Sequence, residues 1–201
     1  HVQRVSEELR RLRPDAQFVY THFSPSAEPL SRRITADAAD FLPYDLPAAA
    51  DRLLEALRPD LLVFSKLDLW PELATRAAAR GTTVAIVAGT VSTGSGRLRW
   101  PARRLLAPGY RSVAAAGAIS EADAARLATL GVPRSAVRVL GDPRFDSVER
   151  RVRSTAPDDP LLRLGRGAPT LVAGSTWPAD EQVLLSAFVA VRARHPEARL
   201  I

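Results

Sequence analysis

A short apolar run, a small-residue turn and an amphipathic stretch recur along the chain, and this alternation restricts the fold more than any other feature. Leu61–Phe64 precedes Pro71–Arg80, and Thr82–Val87 precedes a Gly/Ser/Thr-rich loop over Ala88–Gly96. Val113–Ile119 precedes Glu121–Leu130, and Thr170–Ala173 precedes a stretch from Pro178 to Arg194. Near-continuous apolar runs are the pattern of strands covered on both faces, and apolar residues spaced three to four apart are that of helices. Strands alternating with helices predict parallel βαβ units, hence an α/β, doubly wound, Rossmann-like parallel sheet with flanking helices. Such sheets bind ligands beyond the carboxyl ends of their strands. The candidate loops are therefore Phe23–Ser26, Ser65–Trp70, Gly89–Gly96, Ser120–Asp123, Gly141–Asp146 and Gly174–Trp177.

The other elements follow from the same signals. His1–Arg13, with Val2, Val5, Leu9 and Leu12 on one face, is a helix that Pro14-Asp15 ends. Gln17–His22 is a short strand, and Phe23–Glu28 a turn in which Ser24 or Ser26 caps the next helix. Asp40–Leu42 is a short strand, and Leu46–Leu57 a helix with Pro47 in its first turn. Gly81 closes the helix before it, Ser120 caps Glu121–Leu130 and Gly131 ends that helix. Val137–Leu140 is a strand, Gly141–Asp146 a turn, and the Arg/Pro-rich Ser147–Gly167 a helix plus linker between domains.

Composition removes several classes of function. With 201 residues, 46% of them hydrophobic and 25% charged, the chain has a globular composition, and no apolar run is long enough to span a bilayer. The absence of cysteine excludes disulfides and thiolate metal sites. His22 and His195 are isolated and His1 is terminal, so no protein-bound metal and no cofactor are expected. There is no GxGxxG and no Walker loop, and Ser175 lacks a GxSxG setting, which disfavours dinucleotide, P-loop and serine-hydrolase chemistry. The chain starts at His1, contains no methionine and ends as a strand begins, so it is expected to be cut at both ends.

The net charge of +6 is carried by arginine apart from one lysine, Lys66. Such a balance suits anionic membranes, phosphorylated ligands or nucleic acid, and equally reflects Arg-rich codon usage. Arg97–Arg111 interleaves Arg97, Arg99, Arg103, Arg104 and Arg111 with Leu98, Trp100, Leu105 and Leu106. That is the pattern of a segment on anionic lipid and also of a surface helix with solvated arginines; it lacks the aromatic series that stacks nucleic-acid bases. Lys66 and Asp68 follow a buried strand and, two apart in extended backbone, point the same way. They read as contacts to a polar substrate or as a local ion pair. Arg144 reads as a ligand for phosphate or carboxylate, or as one half of an Arg–Asp turn. Leu171–Glu181 reads as a buried strand, a Gly-Ser-Thr turn and a helix start, where free N–H groups and the helix dipole favour an anion.

The strand-end loops, taken in order, resemble those of the 3-deoxy-D-manno-octulosonic acid (Kdo) transferases. Phe41-Leu42-Pro43-Tyr44-Asp45 is similar to that family's YLPxD segment, and Leu69-Trp70-Pro71-Glu72-Leu73 to ELWPNL. Ala118–Leu127 with Leu130-Gly131 resembles AQSxxDAxRFxxLG, Gly141–Asp146 resembles GNLKFD, and Leu171–Glu181 contains a match to AGSTHxGEE. The resemblance implies a GT-B glycosyltransferase fold, with a near-complete N-terminal acceptor-binding domain over residues 1–146, a linker over 147–167 and the start of a C-terminal donor-binding domain over 168–201. It implies transfer of Kdo, with inversion, from CMP-Kdo to a lipid A precursor at the cytoplasmic face of the inner membrane, in lipopolysaccharide biosynthesis. The implied partners are those two substrates and the anionic inner-membrane surface, without nucleic acid.

Residue by residue, the resemblance implies donor contacts from Ser175, Thr176, Glu181 and Arg144, and an acceptor side formed by Ser24, Ser26, Lys66 and Asp68. The family's catalytic Glu lies in a Gly-Glu segment that would precede His1, so no catalytic residue is expected in this chain, and the chain alone is expected to be inactive. Three departures stand out. Lys66 and Asp68 replace two glutamates, Ala88-Gly89-Thr90-Val91-Ser92 replaces NARLS, and Trp177 stands where many members have His. They leave two alternatives: a GT-B transferase that uses a UDP-sugar for another envelope lipid, and a non-catalytic lipid-binding relative.

Overall fold

The structure, a computed structural model, describes residues 2–32 and 34–201, so His1 lies outside the described residues. It divides into two compact units, His1–Glu149 and Arg150–Ile201.

The first unit opens with helix α1 (Val2–Leu12), strand β1 (Val19–His22), a single helical turn over Pro25–Ala27, helix α2 (Glu28–Ser31) and strand β2 (Ala38–Phe41). Helix α3 (Pro47–Leu57), β3 (Leu61–Ser65), α4 (Pro71–Ala79) and β4 (Thr83–Gly89) follow, then α5 (Ala102–Arg111), β5 (Ala115–Ala118), α6 (Glu121–Leu130), β6 (Val137–Val139) and the first half of α7 (Pro143–Ser154), whose residues from Arg150 onward fall in the second unit. Strands β1 and β2 pair in parallel with His22 opposite Phe41. A second parallel sheet runs β3-β4-β5-β6 in sequence order. Each crossover carries a helix, as a parallel sheet requires.

Local chemistry explains the boundaries. The Ser120 hydroxyl accepts the Asp123 N–H at 3.1 Å at the start of α6, and Gly131 ends that helix at φ +124°. Pro47 and Pro71 occupy first turns, where a missing N–H costs nothing. Some elements depart from the sequence expectation. Strand β4 takes in Ala88 and Gly89, because Gly89 pairs with Ala118 and accepts the Ile119 N–H at 3.0 Å. The expected turn over Gly141–Asp146 is mostly helix: Pro143 opens α7, and the Asp142 carboxylate accepts the Arg144 N–H at 2.9 Å. Strand β5 is shorter than the Val113–Ile119 run, and β2 begins at Ala38 rather than Asp40.

The core sits between the four-stranded sheet and its helices. Ala50 and Leu54 of α3, Leu73, Ala74 and Ala77 of α4, Tyr110 of α5, and Leu127 and Leu130 of α6 pack on Phe64, Val84, Ile86, Ala116 and Ala118. Charged groups close the outer seam between α3 and α4, where Asp51 meets Arg76 at 2.6 Å and Arg80 at 2.5 Å. The Arg76 hydrogen bond above all holds the Asp51 carboxyl below its ordinary range. Helix α5 comes so close to the start of α4 that a Cβ on Gly109 would lie 2.5 Å from Pro71 Cα.

In the second unit, helix α8 (Pro160–Arg163) precedes β7 (Thr170–Leu171), which pairs in parallel with β8 (Arg199–Leu200), and α9 (Pro178–Arg194) joins the two strands. Within this chain Leu171 is 49% and Val172 70% exposed, since residues 150–201 supply only one other strand and α9 as a long helix to cover the expected buried run.

Gly109→Ala meets backbone rather than a movable side-chain tip, so it is expected to cost about 1–3 kcal/mol. Urea unfolding of the variant reads this as a lowered midpoint at unchanged slope.

Candidate functional site at the carboxyl edge of the sheet

Two carboxylates tie down the loops at the carboxyl ends of the strands. Asp45, in the loop after β2, accepts the N–H groups of Glu72 at 3.0 Å and Leu73 at 2.9 Å, the orphan donors at the start of α4. Asp123 of α6 accepts the Val91 N–H at 2.7 Å and the Thr90 hydroxyl at 3.3 Å from the loop after β4. It also receives the Ser120 hydroxyl and an Arg126 guanidinium N–H at 3.3 Å. Burial pushes the Asp123 carboxyl up, but hydrogen bonds from Ser120, Val91 and Arg126 outweigh it, and the net shift is downward. The YLPxD-like and AQSxxDAxR-like segments thus carry their acids as loop anchors.

Between these anchors lies a polar cluster. The Arg97 guanidinium donates to the Leu69 carbonyl at 3.4 Å and to the Tyr110 hydroxyl at 3.3 Å. Burial raises the Tyr110 pKa, against the Arg97 hydrogen bond, and the negative charge of Asp68 adds to the rise. Lys66 has left-handed backbone at φ +60°, and its N–H donates to the Val87 carbonyl at 2.9 Å. This turn corrects the expectation of a shared direction for Lys66 and Asp68: β3 ends at Ser65, and the segment between the two is not extended. Lys66 instead contributes its positive charge to Asp142 in the loop after β6.

The expected site residues sit as follows. Ser24 and Ser26 face one another after β1, with hydroxyl oxygens 2.7 Å apart and exposed to solvent. Arg144 is paired rather than free: its guanidinium meets Asp142 through Nε at 2.7 Å and Nη2 at 2.6 Å. That hydrogen bond is the main cause of a lowered Asp142 pKa. In the second unit Ser175 stands at φ +59°, a conformation that costs a non-glycine residue energy. The Thr176 hydroxyl donates to Glu181 at 2.9 Å, and the Trp177 N–H to Asp180 at 3.0 Å. The first turn of α9 is therefore acidic, which weakens its dipole as an anion site. Among the described residues no group of three His, Asp or Glu is placed to hold a metal ion.

An aromatic cluster at the same edge has no counterpart among the expected site residues. Phe23, Tyr44 and Trp70 come from the loops after β1, β2 and β3. The Phe23 ring lies 5.6 Å from Tyr44, edge to face, and 4.9 Å from Trp70. The available signal was one aromatic residue in each of three successive strand-end loops. Asp45 was not legible as an anchor either, because its helical partner lies 27 residues away.

Fully ionised Asp123 stabilises the fold above its unfolded-state pKa, because its folded value is the lower one; that contribution is lost as pH falls through the folded value. The stability gap between wild type and Asp123→Asn is expected to be full at neutral pH and to narrow below about pH 3.9. Denaturant titrations across this range check it.

Known proteins resemble this chain in sequence and in fold. The sequence profile of the family described as 3-deoxy-D-manno-octulosonic-acid transferase (kdotransferase) matches residues 1–147. The chain is 23% identical over 199 residues to the 3-deoxy-D-manno-octulosonic acid transferase of Haemophilus influenzae, covering 96% of this chain and 46% of that protein. It is 27% identical over 159 residues to the transferase of the same name from Bordetella pertussis, covering 76% and 35%. The chain thus spans about half or less of the length of these curated relatives. Among solved structures, the UDP-N-acetylglucosamine 2-epimerase of Neisseria meningitidis bound to UDP-GlcNAc superposes with a TM-score of 0.60 at 14% identity, over 92% of this chain and 56% of that one. The Listeria monocytogenes protein assigned as a UDP-N-acetylglucosamine 2-epimerase gives 0.64 at 11% identity, over 99% and 56%. These two share the GT-B-like parallel α/β architecture. By the match over residues 1–147, the chain belongs to the 3-deoxy-D-manno-octulosonic acid transferase family.

Proposed function

We propose that the protein carrying this chain transfers Kdo from CMP-Kdo to a lipid A precursor, and that residues 1–146 form the acceptor side of the reaction. The observation that supports this reading is that Arg97, Tyr110 and the charge of Asp68 act on one another beside the loop after β3, inside the family match. In the reaction an acceptor hydroxyl oxygen forms a bond to the anomeric carbon of Kdo. The bond from that carbon to the CMP phosphate oxygen breaks, and its electron pair leaves with CMP. The hydroxyl proton passes to a general base, a role assigned to no residue of this chain. Cations at the cleft stabilise the charge that develops on the leaving phosphate.

Lys66, Asp68, Ser24 and Ser26 are proposed to face the acceptor. Ser175, Thr176, Glu181 and Arg144 are proposed to face the donor, which requires Thr176 to give up its bond to Glu181, or to present the pair together. Residues 147–167 are proposed as the linker and 168–201 as the start of the donor domain. A UDP-sugar donor is the competing reading, since one structural neighbour carries UDP-GlcNAc. The intact protein is expected to release CMP from CMP-Kdo when supplied with acceptor, and Lys66→Ala to lower kcat/KM about 10-fold or more. Turnover of UDP-GlcNAc but not CMP-Kdo would replace this reading with the competing one.

The acceptor is a lipid, and α5 offers a surface for its membrane. Trp100 is 77% and Leu105 73% exposed, beside the exposed Arg99, Arg103 and Arg104. No helix among the described residues is long and apolar enough to cross a membrane. The proposed location is the anionic cytoplasmic face of the inner membrane, with the protein held peripherally or by an anchor outside this chain. Each arginine near such a surface contributes about 1 kcal/mol, so Arg103→Gln with Arg104→Gln is expected to weaken partition onto phosphatidylglycerol vesicles roughly 30-fold. Unchanged co-sedimentation would remove α5 from this role.

A further inference from the structure

We infer that Phe23, Tyr44 and Trp70 form a stacking platform for a hexopyranose ring of the acceptor, an inference that rests on the acceptor-side reading above. Aromatic side chains that serve only as core are buried. Here Tyr44 is 72% and Phe23 49% exposed, while Trp70 is partly buried against the core. Phe23 sits between the other two, at 5.6 Å and 4.9 Å between ring centroids with ring planes at 74° and 59°, so the three rings form a faceted aromatic patch whose most exposed facet is Tyr44.

The surface is held in place before any ligand arrives. Asp45, the residue after Tyr44, grips the Glu72 and Leu73 N–H groups just beyond Trp70. Trp70 stands directly before Pro71, against which Gly109 packs. Two of the three rings are therefore carried on backbone tied together by one carboxylate, which lowers the ordering cost of binding.

The surroundings select the ligand class. The crevice between Tyr44 and Trp70, lined also by Leu42, Pro43, Leu53 and Leu73, has a volume of about 10 Å³. That is room for roughly one water, so a larger ligand meets the exposed ring surface rather than this crevice. Polar groups accompany the rings in the same loops: Ser24 and Ser26 follow Phe23, and Lys66 and Asp68 precede Trp70. A flat ligand with polarised C–H bonds on its face and hydroxyls around its edge matches rings flanked by hydroxyls and charges. A hexopyranose has that form. Its axial C–H groups would meet the negative face of an exposed ring, and its hydroxyls would turn toward the polar loops that carry the rings.

The test uses the intact protein labelled with 5-fluorotryptophan, with the Trp70 resonance assigned from the spectrum of Trp70→Phe. The probes are a glucosamine disaccharide without acyl chains and, separately, decanoate. The expected result is a saturable shift of the Trp70 resonance with the disaccharide, weakened at least 10-fold in Phe23→Ala/Tyr44→Ala, whose circular dichroism matches wild type. Tyr44→Phe, which keeps the ring, is expected to retain most of the binding. In transfer assays the double variant is expected to raise acceptor KM at least 10-fold, with donor KM unchanged. A saturable shift with decanoate alone would overturn the assignment in favour of an acyl surface, and no shift with either probe would reduce the cluster to packing. A Trp70 response to the disaccharide in a protein that transfers no Kdo would sustain the platform and sink the proposed reaction.

Discussion

The carboxylates of Asp45 and Asp123 are what the edge of this sheet depends on. Loops at strand ends carry backbone N–H groups that no ladder satisfies, and a buried one left unpaired costs free energy comparable to a lost hydrogen bond. Asp45 covers two such donors at the head of α4, and Asp123 covers Val91 while drawing in Thr90, Ser120 and Arg126. Each acid reaches a segment far from it in sequence. The loops after β2 and β4 are therefore fixed by side chains, and the sheet edge becomes a defined surface.

Packing then converts that order into a position for chemistry. The Gly109–Pro71 approach sets α5 against α4, and α5 brings in Tyr110, whose hydroxyl takes an Arg97 N–H from the segment after β4. Arg97 also reaches the Leu69 carbonyl beside Trp70. Core, helix contact and polar cluster are thus one connected unit, in which a change at Gly109 would be felt at the aromatic rings.

Features determined locally were legible in the sequence. The Ser120 cap, the Gly131 stop, the helix Pro178–Arg194 and the parallel alternation of strand and helix each follow from neighbouring residues, and the structure has them where expected. What was not legible depends on partners distant in sequence or on backbone that departs from the run. Asp45 reads as a residue before its own helix, yet it caps α4. Lys66 turns left-handed, so its apparent alignment with Asp68 fails. The apolar Leu171-Val172 reads as buried, and its exposure in this chain reflects the single strand and helix that residues 150–201 set around it. Phe23, Tyr44 and Trp70 are scattered in sequence and gather because their strands lie side by side or feed loops that Asp45 joins.

Charge placement bears on where an anion can be held. The N-terminus of α9, with its Gly-Ser-Thr turn, has the form of a phosphate cradle, but Asp180 and Glu181 occupy its first turn and engage Trp177 and Thr176. An anion arriving there meets like charge and must displace existing hydrogen bonds. In the first unit, Lys66 and Arg144 act on the single carboxylate of Asp142, leaving one formal positive charge in excess among the three side chains. Asp142 also fixes the Arg144 fork, through both the backbone N–H and the guanidinium. A held guanidinium with N–H groups still exposed is better prepared for a phosphate or carboxylate than a mobile one, because less side-chain entropy remains to be lost. On this electrostatic ground, of the residues proposed to face the donor, Arg144 is better prepared for an anionic group than the turn at Ser175.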